Sequence, residues 1–240
     1  MKVVLMYHDI VNRDDTSSGF QNDSAFQYKV EAGKFEEQVK ALAERKDVMF
    51  TFDDGGVSFL GVAAPILEKY GKRGVFFIST KYVDSDGFLT KEQVRELEER
   101  GHIIGSHSHS HPDNIAALSA VEIDKEWGES ARILKEILGH EVTMASIPNG
   151  YGSKELNTSA LEAGFTELYT SEPTTKVRSR GGQQLIGRYV VHRNLSTNDV
   201  IAIVTDKSRR QKMHMRWWVL EQAKKVLGSG YDKVKALFIR

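Results

Sequence analysis

Val48-Met49-Phe50-Thr51-Phe52-Asp53-Asp54-Gly55-Gly56 is the stretch on which the reading of this chain turns. Its first five residues are apolar, aromatic or β-branched and make a strand, which the Gly pair beyond the acids ends. Two carboxylates therefore stand at the C-terminal end of a strand, where parallel barrels collect their functional groups. On an extended backbone neighbouring side chains point to opposite faces, so one Asp can hold a cation while the other faces a water molecule. The same Asp-Asp-Gly also makes an ordinary helix N-cap.

About fifty residues further on, His107-Ser108-His109-Ser110-His111 follows a second apolar strand. His107 and His111, four residues apart, fall on one side of a helical or turn-like segment, a spacing that chelates a single ion. His109 is out of phase with both and is expected to buttress the site or meet solvent. Two imidazoles need a third ligand, and Asp54 is the natural one. Such a set leaves a coordination position for water, with Asp53 free to take its proton. This is the donor pattern of a metal-dependent hydrolase.

Around these motifs short apolar runs alternate with amphipathic ones. Strands are expected at Lys2–Tyr7, Val48–Phe52, Gly74–Ser79, His102–Gly105, Thr143–Ile147, Glu167–Thr170 and Gly187–Val191. Helices are expected at Gly33–Arg45, Gly56–Tyr70, Thr90–Arg100, Ser119–Leu138, Ser153–Ala163 and Thr197–Asp206. Thr90 with Gln93 and Ser119 with Glu122 form capping boxes, and Gly71, Gly101, Gly139 and Gly164 mark helix ends. Repeated strand–helix units predict an α/β fold, a closed or nearly closed barrel of about seven parallel strands, in one domain over residues 1–240. No Gly-x-Gly-x-x-Gly follows the first strand, which argues against a dinucleotide fold. Asn12–Val30 reads as a long loop, Glu172–Gln184 as a loop or short hairpin, and Arg209–Leu227 as a terminal helix whose Trp217 and Trp218 pack rather than bind ligand.

Lys plus Arg equals Asp plus Glu at 33 each, so no global charge points to nucleic acid. The region Asp206–Arg240 holds ten basic against three acidic residues, a solvated surface or a site of peripheral contact with an anionic membrane or glycan. With no cysteine, disulfides and thiolate ligands are excluded. The apolar start, Met1 to His8, is too short for a signal peptide, and no run approaches the roughly 18 residues of a membrane span. A cytoplasmic location is expected, or a periplasmic or cell-surface one if a leader has been trimmed.

The two motifs, with Gly101 to Pro112 around the histidines, the strand Gly74-Val75-Phe76-Phe77-Ile78 and the start Leu5-Met6-Tyr7-His8-Asp9-Ile10, resemble the polysaccharide deacetylase family, carbohydrate esterase family 4 or the NodB homology domain. The resemblance runs from Met1 to about Val191. It implies a distorted (β/α) barrel that hydrolyses an N-acetyl, less often an O-acetyl, group of a sugar. It implies Asp53 as general base, and Asp54, His107 and His111 as ligands of one divalent metal, usually zinc, with cobalt or nickel as substitutes. It assigns Ser146 to Gly152 to a groove-lining element in which the Asn149 N–H faces the oxyanion and Tyr151 the substrate. The arginine that opens this element in many members is absent, and Ala145-Ser146 stands there. A late Asp-containing segment is matched only by Tyr169-Thr170-Ser171-Glu172-Pro173. His192 becomes the candidate acid for the leaving amine, Arg188 a residue that orients a carboxylate or sugar, and His8 a groove-lining residue. The substrate implied is an acetylated cell-surface polysaccharide or its precursor. A deformylase or amidase acting on a small amino-sugar or lipid-linked substrate, and a catalytically impaired, metal-bearing carbohydrate-binding domain, are the alternatives.

Overall fold

The computed structural model describes residues 2–12 and 17–227. Its strands are β1 (Val3–Tyr7), β2 (Ile10–Val11), β3 (Val30–Glu31), β4 (Val48–Phe52), β5 (Gly74–Ile78), β6 (Ile103–Ser106), β7 (Met144–Ser146), β8 (Glu167–Tyr169), β9 (Val177–Arg180), β10 (Gln183–Ile186) and β11 (Tyr189–Val190). Its α-helices are α1 (Asp23–Phe26), α2 (Ala32–Ala41), α3 (Ala64–Lys69), α4 (Lys91–Glu99), α5 (Ala120–Leu138), α6 (Lys154–Glu162), α7 (Thr197–Thr205) and α8 (Lys207–Leu227). The main sheet runs β11-β1-β4-β5-β6-β7-β8-β10-β9 and is parallel except for the final hairpin. β10 and β11 lie towards opposite ends of that order, yet only Gly187 and Arg188 separate them in the chain. The sheet therefore curls back on itself into the expected distorted barrel.

Side-chain alternation along these strands sorts the core into two faces. Leu5, Tyr7, Phe50, Phe52, Phe76, Ile78, Ile104, Ala145 and Leu168 join the large cluster that also contains Phe35 and Val39 of α2, Val94 and Leu97 of α4 and Trp127 of α5. The other parity builds a small cluster of Val4, Val75, Phe77 and Tyr169, flanked by Met49, Met144 and Ile186. Gly105 makes room for Phe77, since a Cβ there would lie 2.6 Å from the Phe77 ring. The inner filling is thus thin, and polar groups take over at the C-terminal ends of its rows.

Local differences from the sequence reading have local causes. The helix expected from Gly56 begins as a π-helical turn, Phe59–Ala63, and becomes α-helical only at α3, whose first turn carries Pro65. π-Turns of this kind are frequent beside functional sites. The segment after Glu172 is a hairpin, β9–β10, turned by Gly181 and Gly182, both at positive φ as a two-residue turn of this twist requires. α7 carries a third capping box, Ser196 with Asp199. α8 opens with basic residues that serve the fold, because Arg209 pairs with Asp199 at 2.8 Å and Arg210 donates to the carbonyls of Ile203 and Val204 at the end of α7. Residues 228–240 of the basic tail lie outside the described residues. Among the described residues no helix is long and apolar enough to cross a membrane.

The Gly187 joint leaves no room for a side chain: a Cβ would sit 2.4 Å from the Glu172 carbonyl oxygen and 2.5 Å from Thr174 Cγ2. Gly187→Ala is expected to lower the free energy of urea unfolding by about 2 kcal/mol. Gly128→Ala, in the middle of α5 with nothing within 4 Å of the added Cβ, should raise it by roughly 0.5–1 kcal/mol.

Candidate metal and active site

Asp53 and Asp54 follow β4, and the histidine segment follows the next-but-one strand, β6, so the barrel brings both to one rim. Asp54 Oδ1 lies 3.4 Å from His107 Nε2 and 3.4 Å from His111 Nε2. One donor atom from each residue can be chosen so that all lie within 4.8 Å of one another. The Asp54 Oδ1 atom is buried and has no hydrogen-bond partner among the described residues. An unsatisfied buried carboxylate oxygen is costly, and a cation satisfies it. His107 Nδ1 stands 3.0 Å from the Ser146 carbonyl oxygen, so it carries the proton and Nε2 keeps its lone pair towards Asp54. Two imidazole nitrogens and one carboxylate oxygen fit a divalent transition ion, zinc foremost.

The backbone that achieves this is neither extended nor helical. Asp54 has φ 92°, Ser108 61° and His111 53°, left-handed conformations that side-chain-bearing residues seldom adopt. The two acids face different partners, Arg188 for Asp53 and the histidines for Asp54, and the i, i+4 histidines share a side through a turn-like segment rather than a helix. Turns at Asp54, Ser108 and His111 aim the three donors at one point. Glu126 of α5 secures the histidine segment by accepting the N–H groups of His109 at 3.0 Å and Ser110 at 2.7 Å. His109 turns away to Thr80, with Nδ1 3.0 Å from its hydroxyl. Glu126 carries no motif, and only its charge on the buried, mainly apolar face of α5, beside Ile123 and Trp127, sets it apart.

Asp53 is gripped by Arg188. The guanidinium donates to Oδ1 at 2.6 Å and to Oδ2 at 2.7 Å, and both side chains are almost fully buried. Ser146 Oγ accepts from Arg188 at 2.6 Å and donates to Asp53 Oδ2 at 3.1 Å. Arg188 therefore meets a carboxylate rather than a sugar. Ser146 shares the inner parity of β7 with Met144, and Arg188, in the joint between β10 and β11, comes two residues after the inward Ile186.

The remaining candidates spread along the rim. Asn149 is exposed, with φ 54°, and its side-chain amide donates to the Asp113 carbonyl at 3.3 Å, tying this loop to the histidine segment. Tyr151 is half-buried beside it. His8, just past β1, has a buried Nδ1 with no hydrogen-bond partner among the described residues. Its ring packs on Tyr28 at 4.5 Å between centroids, and Tyr28 packs on His192 at 4.9 Å. Glu172 pairs with Arg178 and His214, away from Asp53.

Burial opposes ionisation of both carboxylates, but positive neighbours prevail. Arg188, then His107, brings Asp53 below the usual carboxylate range, and His107, His8 and His111 do so for Asp54. Burial likewise disfavours a charged His107, yet Asp53 and Asp54 raise its pKa, whereas burial lowers that of His111. A raised histidine pKa stabilises the metal-free fold below about pH 6.5, and this contribution disappears as pH climbs through the raised value. Since a ligand must be neutral, zinc affinity should increase with pH through that same range, with proton release visible as buffer-dependent binding heat. A pH-independent affinity would contradict the His107–Asp54 pairing. Removing the guanidinium leaves Asp53 buried without its counter-charge, so Arg188→Met should cost about 3–5 kcal/mol in urea unfolding.

Comparison with known proteins agrees with this geometry. A family model described as polysaccharide deacetylase matches residues 40–168. YxkH of Bacillus subtilis, provisionally named a polysaccharide deacetylase, is 27% identical over 201 residues, 79% of this chain and 69% of that protein. The Bacillus subtilis peptidoglycan-N-acetylmuramic acid deacetylase PdaA is 25% identical over 132 residues, 55% of this chain and 46% of PdaA. Among solved structures, the Streptococcus pyogenes deacetylase PplD, in complex with acetate, superposes with a TM-score of 0.70 at 20% identity, covering 85% of this chain and 97% of that one. At that identity the likeness is one of fold. With more than half of the chain inside the family model, the protein belongs to the polysaccharide deacetylase family.

Proposed function

We propose that the protein hydrolyses the N-acetyl group of an amino sugar in a cell-surface polysaccharide or its precursor, with one divalent metal held by Asp54, His107 and His111. The observation that carries this reading is the pairing of two unlike carboxylates. Asp54 offers an unpartnered oxygen to the histidines, while Asp53, locked by Arg188, stands 3.9 Å from His107 Nε2. Relatives named for chitin and for peptidoglycan N-acetylmuramic acid support an N-acetylated glycan.

When bound, a zinc-like ion polarises the acetyl carbonyl and acidifies a water. Asp53 takes that water's proton, held ionised and oriented by Arg188. The Asn149 N–H faces the developing oxyanion, and Tyr151 lines the sugar side. His8 supplies the proton to the leaving amine. Its charge interacts with those of Asp53, Asp54 and His111, and its buried Nδ1 has no hydrogen-bond partner among the described residues, which supports this role. His192 then supports Tyr28. The missing motif arginine and the weak late motifs are the arguments for an impaired domain, and the Arg188 contact with Asp53 weighs against the first of them.

Acetate release from a panel of N-acetylated glycan oligomers, with zinc, cobalt or nickel and with chelator, tests the reading. Asp53→Asn should lower turnover by about 10²- to 10⁴-fold while keeping the metal. His107→Ala should lose the metal, and His8→Gln should slow turnover more than His192→Gln does. Retained turnover in the Asp53→Asn protein, or no release from any glycan by the metal-loaded wild type, defeats it.

A further inference from the structure

The loop expected after the first strand is pinned far more firmly than a connection requires. Asp9, Ser18, Lys29 and Ser58 are each buried to 5% exposure or less. Asp9 Oδ1 accepts the hydroxyls of Ser18 at 2.5 Å and Ser58 at 2.8 Å. Ser18 Oγ in turn accepts the Ser58 N–H at 2.8 Å, and Lys29 Nζ donates to the Ser18 carbonyl at 2.6 Å. Burial raises the Asp9 pKa and the Asp54 charge adds to the rise, while the hydroxyls of Ser18 and Ser58 and, least, the Lys29 charge oppose it. Gly19 and Gly56 press against this knot, for a Cβ on either would fall about 2 Å from an Asp9 oxygen.

Two rings leave the pinned segment in different directions. Phe20, directly after Ser18-Gly19, packs on His111 at 5.0 Å, backed by Tyr82 and Phe88 at 4.9 and 5.1 Å. Tyr28, directly before Lys29, packs on His8. A buried charged network gains a fold little over apolar packing, and its best-attested use is to specify one arrangement. Here the arrangement specified is that of the two imidazoles.

We propose that residues 17–30 act as a clamp in which Ser18 is the shared pin, Phe20 sets the ring of the metal ligand His111, and Tyr28 sets the ring of His8. Phe20, Tyr28 and Ser18 are then positioning residues that act through the histidines. The proposal rests on the reading of Asp54, His107 and His111 as a metal site, and it extends that reading to a segment with no metal-binding or acid–base chemistry of its own.

Zinc affinity measured by competition with a chromophoric chelator separates the clamp from a merely structural loop. Phe20→Ala should weaken zinc binding about 10-fold, the scale of outer-shell losses, whereas Phe20→Leu, which keeps the bulk, should stay near wild type. Tyr28→Ala should leave zinc affinity intact and lower kcat for acetate release about 10-fold at unchanged KM, with Tyr28→Phe restoring it. Ser18→Ala should show both effects together. Wild-type zinc affinity in both Phe20→Ala and Ser18→Ala, with only the melting temperature reduced, overturns the clamp. A wild type that binds zinc but releases no acetate refutes the deacetylase reading alone, since the zinc measurements still decide on Phe20 and Ser18. A wild type that binds no zinc removes the metal site, and the clamp with it.

Discussion

The bidentate pair between Arg188 and Asp53 is the constraint around which the mouth of the barrel is organised. Every N–H of the guanidinium has a partner: Thr170 carbonyl and Thr51 hydroxyl at 3.3 Å each, both Asp53 oxygens, and Ser146 Oγ. Its face lies 5.4 Å from the Phe77 ring centre, so the cation floors the site on the thin inner core. Because a guanidinium does not lose its proton in proteins, Asp53 stays a carboxylate, and its fully engaged oxygens leave it one orientation. A base so stabilised is intrinsically weak. In the role of base proposed above, its contribution would come from placement rather than basicity, and a metal held by Asp54, His107 and His111 would supply the lowered pKa of the water.

Strand parity explains what could be read from the sequence and what could not. The seven parallel runs, the Gly helix stops and two capping boxes were legible because each is a local pattern of residue types. Asp53, Asp54, His107 and His111 were legible because rare side chains cluster directly after apolar strands. Arg188 belongs to no compact motif, although it comes two residues after Ile186, whose side chain points inward. Ser146 was read as a gap in a pattern, yet its carbonyl orients His107 and its hydroxyl joins Arg188 to Asp53. These contacts span 39 to 135 residues of sequence, and no local pattern encodes them. The Asp9–Ser18–Ser58–Lys29 knot was invisible for the same reason, inside a stretch that looks merely polar.

Left-handed backbone at Asp54, Ser108 and His111 carries a cost of about 1–3 kcal/mol per residue. The surroundings hold it in place. The Asp54 carbonyl accepts the Ser79 N–H at 3.2 Å, the Ser108 hydroxyl accepts the His111 N–H at 3.2 Å, and Glu126 ties down the intervening turn. Three donors from two loops converge because long-range contacts overrule what each loop would adopt alone. Spacing of four residues brings both imidazoles to one Asp54 oxygen, and does so through turns.

The hairpin that ends the sheet bears on how copies of this protein behave beside one another. β9 is exposed along its whole length and leaves one edge of the nine-stranded sheet open. Such a margin invites a neighbouring chain to continue the hydrogen-bond ladder. Here it is edged by Lys176, Arg178 and Arg180, so two identical margins meeting side by side would set cation against cation. Like-charge repulsion between Lys176 and Arg180 of two such margins would oppose that continuation, Arg178 being paired with Glu172.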